Sequence, residues 1–119
     1  MIIIKGSNRK SLMLADYIND EVKGESKVVI FDLVGVTNIQ FQIKREYEHL
    51  MYSGTFEELI QDLKSEDGQE IIKDFDVIVF ECNITEEQLK LINESEYDQQ
   101  IIVTVQTDEE VKIYNTDVL

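Results

Sequence analysis

The chain has 119 residues, 43% of them hydrophobic, which suits one domain with a single core spanning residues 1–119 and is too short for two. Its 25 acidic against 11 basic residues give a formal charge of −14, which sets long-range repulsion against direct nucleic-acid binding or an anionic membrane surface and favours a basic protein partner. The single cysteine, Cys82, excludes an internal disulfide, and without a signal segment or an apolar run of membrane-spanning length a cytoplasmic protein is expected.

In chain order, the apolar run Met1–Ile4 predicts a first strand. Gly6-Ser7-Asn8-Arg9-Lys10-Ser11 leads from it into a helix beginning near Lys10, with Leu12, Met13, Leu14, Tyr17, Ile18 and Val22 on one side and Gly24 placed to end it. Val28–Leu33 predicts a second strand. Over Val34–Ser53 the pattern is mixed. Ile39, Phe41 and Ile43 alternate as in a strand, Tyr47, Leu50 and Met51 are spaced as in a helix, and a loop leading into a helix is expected.

Thr55 with Glu58 forms a capping box ahead of Phe56, Leu59, Ile60 and Leu63, and Thr85 with Gln88 forms another ahead of Leu89 and Ile92. Val77–Cys82 and Ile101–Val105 predict two more strands, and the alternating Val111-Lys112-Ile113-Tyr114 predicts a short one near an edge. Ile2-Ile3-Ile4, Val77-Ile78-Val79-Phe80 and Ile101-Ile102-Val103 are unbroken, as in strands covered on both faces. Strand and helix alternate without proline, linker or repeat, so the expected fold is a three-layer α/β domain with a mainly parallel sheet of about five strands and right-handed crossovers.

Ligands in open α/β sheets sit at the carboxyl ends of the strands. Those positions carry Gly6–Ser11, Asp32, Glu81 with Asn83, and Gln106, Thr107 and Asp108. A strand, a loop ending in Lys10-Ser11, a helix, and a later apolar strand ending in Glu81 together resemble the P-loop NTPases over most of the chain, in minimal form. The resemblance implies that Gly6 and Ser7 belong to a phosphate loop, that Lys10 reaches the terminal phosphates, that Ser11 places its hydroxyl on magnesium, and that Glu81 is the acid of the second motif, with Mg-nucleotide as the ligand. The chain departs from the family pattern in placing Ile4 and Arg9 where the two loop glycines belong. Arg9 adopts the dihedrals of such a loop less cheaply than glycine does, so no resident cofactor and no hydrolysis are expected. On the alternative reading, Ser7 or Asn8 caps the helix and Lys10 is a solvated first-turn residue.

Other constellations are thinner. His49 is the only histidine and is expected at the surface, and Cys82 is expected as a buried, inert thiol at a strand end. The acidic pairs are dispersed over loops and helix starts, as in a solvated surface. Asp108, Glu109 and Glu110, after the fourth strand, stand at the presumed functional edge and are the expected contact for a basic partner, with an apolar patch around Phe41, Tyr47 and Tyr52 as the other candidate.

Three functions follow. The first is a non-catalytic adaptor or regulatory module on a degenerate P-loop-like scaffold. The second is a nucleotide- or phosphate-binding protein using Lys10 and Ser11. The third is an acidic mimic of nucleic acid that blocks a DNA-handling protein, a device of phage and mobile-element proteins. The first asks least of the residues.

Overall fold

In the computed structural model, residues 1–35 and 42–116 are described. They form β1 (Ile2–Gly6), α1 (Lys10–Glu21), β2 (Val28–Asp32), β3 (Glu48–Met51), α2 (Phe56–Lys64), α3 (Glu66–Ile72), β4 (Val77–Ile84), α4 (Glu86–Glu94), β5 (Gln100–Gln106) and β6 (Lys112–Asn115). The strands make one six-stranded sheet in the order β3-β2-β4-β5-β1-β6. Every pairing is parallel except β1 with β6, which is antiparallel. The result is a compact α/β domain with one strand more than expected. No helix of the described residues is long and apolar enough to cross a membrane.

The unbroken apolar runs are explained by where alternate residues go. Ile2, Ile4, Val28, Ile30, Val77, Val79 and Ile102 join a cluster with Leu14, Ala15, Ile18 and Val22 of α1 and its C-cap. Ile3, Val29, Phe31, Ile78, Phe80, Ile101 and Val103 join another, with Phe56, Leu59, Ile60 and Leu63 of α2, Ile72 of α3 and Ile92 of α4. With a period of two and apolar cover for both sets, neither set can be polar. Phe80 anchors the second cluster, its ring centroid 5.9 Å from that of Phe56 and 6.1 Å from that of Phe31.

Both capping boxes form as read. Thr55 and Thr85 each accept from the backbone N–H three residues on, and Glu58 and Gln88 accept in return from the cap N–H.

Elsewhere the structure corrects the reading. Residues 48–51 are a strand and not part of a helix, because they pair with β2 from Val29↔Glu48 to Asp32↔Met51. Helix α1 ends at Glu21, before Gly24, and Leu12 is 49% exposed rather than on the packed face. Strand β4 does not stop at Cys82 but continues through a register irregularity to Ile84, with Asn83 at φ 48. The strand-like alternation at Ile39 and Phe41 lies outside the described residues.

A second helix, α3, follows α2 directly because Ser65 serves both, accepting from Gly68 N–H as the N-cap of α3. Gly68 allows the two helices to meet: a Cβ there would lie 2.0 Å from the Asp62 carbonyl oxygen. On helix propensity alone Gly68→Ala would stabilise by about 1 kcal/mol. The clash is with backbone, so the variant is expected to be destabilised by about 1–3 kcal/mol. A urea midpoint that rises for Gly68→Ala would show that the α2–α3 junction opens at no cost.

Candidate functional site

The segment between β1 and α1 is three residues long, Ser7-Asn8-Arg9. Ile4, at the position of the first loop glycine, is fully buried inside β1 opposite Thr104, so any phosphate-binding loop can start only at Gly6. Arg9, at the position of the second, takes the left-handed conformation, φ 62 and ψ 15, that the loop pattern reserves for glycine. For a residue with a Cβ this costs roughly 1–2 kcal/mol. Arg9 is itself the N-cap of α1, with no side-chain cap bond, which corrects the expectation that Ser7 or Asn8 caps the helix.

Lys10 is likewise not a solvated first-turn residue. It is 5% exposed, and its ammonium donates to the Gly6 carbonyl at 3.0 Å and to Gln106 Oε1 at 2.8 Å. Burial lowers its pKa from the usual lysine value, and the nearby Glu81 carboxylate opposes that shift. Gly6 is held from the other side. A Cβ there would come 2.4 Å from Val111 Cα, so only glycine lets the segment leading into β6 pass this close. Thr107 N–H also donates to the Gly6 carbonyl, at 3.1 Å, and Ser7 N–H donates to the Glu109 carbonyl at 2.9 Å.

Glu81 and Asp32 lie opposite each other in the β2–β4 register and are both buried, at 0% and 1% exposure. The Ser11 hydroxyl donates to Glu81 Oε1 at 3.1 Å, whereas Oε2 is buried with no hydrogen-bond partner. The Glu81 carboxyl is pushed up from 4.5 to about 7, chiefly by burial; the Ser11 hydroxyl opposes the shift, the Asp32 charge adds to it, and Lys10 opposes it. Asp32 is better served. Its Oδ1 accepts from Val34 N–H at 2.8 Å and Gly35 N–H at 3.1 Å, and its Oδ2 lies 2.9 Å from His49 Nε2.

His49 therefore is not a surface histidine. Its side chain is 18% exposed, and strand β3 delivers it to Asp32. The pairing partners are 17 residues apart, and no local spacing announces them. Among the described residues no three His, Cys, Asp or Glu side chains converge as a metal would require. Cys82 is half-buried, and burial raises its thiol pKa far from the range of a reactive thiolate.

The sequence-predicted groups are thus brought together in part. Gly6, Ser7, Lys10, Ser11 and Glu81 are neighbours, joined by Asp32, Gln106 and His49. Asp108, Glu109 and Glu110 are exposed, and the Glu109 backbone abuts the loop at Ser7. Tested as a cradle for Mg-nucleotide, the cluster does not fit as it stands: the lysine, the Ser11 hydroxyl and the Ser7 amide all point at protein acceptors. Compared with protein-family models, curated proteins and solved structures, the chain matches none.

The buried carboxyl sets a pH dependence. Because its folded pKa lies above the unfolded value, Glu81 favours folding fully below about 4.5, and that contribution is lost as pH rises towards about 7. The amount is on the order of 3 kcal/mol. Glu81→Gln keeps the acceptor for Ser11, removes the ionisation and leaves a buried amide N–H unpaired, which costs about 1–3 kcal/mol. Relative to wild type, the variant is expected to be less stable at pH 4.5 and to gain steadily up to pH 8, read as urea midpoints. Parallel pH curves for the two proteins would place the titration elsewhere.

Proposed function

We propose that the chain is a non-catalytic adaptor or regulatory module on a three-layer, P-loop-like α/β scaffold whose phosphate loop is degenerate, acting in the cytoplasm through contact with a basic protein. What carries this reading is the internal engagement of the phosphate-binding groups: Lys10 on Gly6 and Gln106, Ser11 on Glu81, and Ser7 N–H on Glu109. An incoming phosphate has to break these contacts, and it meets the exposed acids Asp108, Glu109 and Glu110 beside the loop. The same acids, on a chain of charge −14, attract a basic partner and speed its approach at low salt.

One observation favours the second reading, nucleotide binding. Arg9 is held in a left-handed conformation directly before Lys10, and such backbone strain clusters at ligand-binding turns.

Calorimetric titration with Mg²⁺-ATP and Mg²⁺-GTP separates the two. Affinity is expected to be weaker than about 10 μM, roughly −7 kcal/mol, with no hydrolysis. Tighter binding that disappears in Lys10→Ala would make the chain a nucleotide-binding protein and end the adaptor reading.

A further inference from the structure

Strand β3 is the end strand of the sheet in the described residues, and it is the least covered of the parallel strands, with Leu50 38% and Met51 61% exposed. Its ladder with β2 is one-sided. Tyr52 N–H donates to the Asp32 carbonyl at 2.9 Å, so in the parallel pattern residues 48, 50 and 52 turn their main-chain groups towards β2. His49 and Met51 accordingly turn their N–H and C=O outward, as a sheet edge able to accept another strand.

Two concavities run along this edge and share Ile71, which is 53% exposed. One, of about 440 Å³, is walled by Leu50, Met51, Tyr52, Leu63 and Ile71. The other, of about 830 Å³, continues towards the amino end of β2 and includes Tyr47.

The charges around the two are uneven. Glu25, Glu46, Glu48, Asp62, Asp67 and Asp74 line them. Against these stand Lys27 and Arg45, and the Arg45 guanidinium is spent on backbone carbonyls, including Val22 at 3.0 Å and Lys23 at 2.7 Å. An apolar floor with an acidic rim is complementary to a segment with apolar side chains on one face and cations at its margin.

We propose that the β3 edge and the groove beneath it dock an extended, basic segment of a partner protein, which adds to the sheet as a strand beside β3 and seats alternate apolar side chains on Leu50, Tyr52 and Ile71, the face that Leu50 shares with Phe31. This rests on the reading of the chain as an interaction module and names the surface that module uses. Asp108, Glu109 and Glu110, which follow β5 and precede the opposite edge strand β6, then steer rather than seat the partner. A second copy of the chain is the poorer occupant, since two bodies of charge −14 repel.

The test uses the whole chain and fluorescein-labelled nine-residue peptides read by anisotropy. The probe alternates Lys and Val; one control replaces Val by Ser, another replaces Lys by Glu. The Lys-Val peptide is expected to bind, the Lys-Ser peptide at least tenfold more weakly, and the Glu-Val peptide not at all. Leu50→Ser with Ile71→Ser is expected to weaken the Lys-Val peptide at least fivefold, and Leu50→Ser alone serves if the double variant fails to fold. Amide exchange at His49 and Met51 is expected to slow in the complex.

Absence of Lys-Val binding, equal binding of the Lys-Ser peptide, or indifference to Leu50→Ser would each overturn the proposal. So would a concentration-dependent dimer in place of peptide binding, since it would give the groove to a second copy. These outcomes are distinct from failure of the adaptor reading, which is decided at the other end of the sheet by Mg-nucleotide titration.

Discussion

The buried ammonium of Lys10 is the contact on which the carboxyl end of the sheet depends. A cation this far from water must be fully hydrogen-bonded or lose its proton. Here the Gly6 carbonyl and the Gln106 amide oxygen take two of its hydrogen bonds, and Glu81, when ionised, favours the charged lysine. These partners come from the ends of three strands, β1, β5 and β4. One side chain therefore fixes how α1 leaves the sheet, and the left-handed turn at Arg9 follows from it. The helix starts immediately after a three-residue link, and the lysine still has to point back under the strand ends. The strain at Arg9 is thus offset within the same local structure.

The two carboxyl groups next to that lysine illustrate how environment divides like residues. Asp32 and Glu81 occupy equivalent register positions on neighbouring strands, and both are buried. Asp32 meets two backbone N–H groups and an imidazole, a set that solvates an anion. Glu81 meets one hydroxyl, has an oxygen with no partner, and faces the Asp32 charge, a set that favours the protonated acid. The Glu81 carboxyl is therefore the group of this cluster that burial drives towards its neutral form.

What was legible in the residues was whatever is encoded locally or by period. The Thr55 and Thr85 capping boxes need only four consecutive residues, and the unbroken runs at Ile2–Ile4 and Val77–Phe80 record burial of alternate side chains in two apolar clusters. Strand β3 was illegible because its four residues carry no alternating pattern, and they are extended only because β2 supplies their hydrogen bonds. Helix α3 hid behind Gly68, a weak helix former kept for a close backbone approach. The site followed the same division. Lys10, Ser11 and Glu81 were recognisable from order and spacing, whereas the link from Asp32 to His49 and the left-handed Arg9 are products of tertiary structure.

The two ends of the sheet are protected unequally, and this bears on where a partner can bind. Strand β6 exposes Ile113 and Tyr114, but it carries Lys112, and the Lys5 ammonium lies 5.0 Å above the Tyr114 ring while also pairing with Glu86 at 2.9 Å. Cations at an edge oppose strand addition, because a docking strand must desolvate or displace them. Strand β3 itself carries no lysine or arginine. Its own charged residue is Glu48, its neighbours in the groove are mostly carboxylates, and its exposed side chains are Leu50 and Met51. Carboxylates at an edge repel an acidic strand and attract a basic one, so the excess negative charge that opposes pairing with a second copy of the chain favours a segment of the opposite sign.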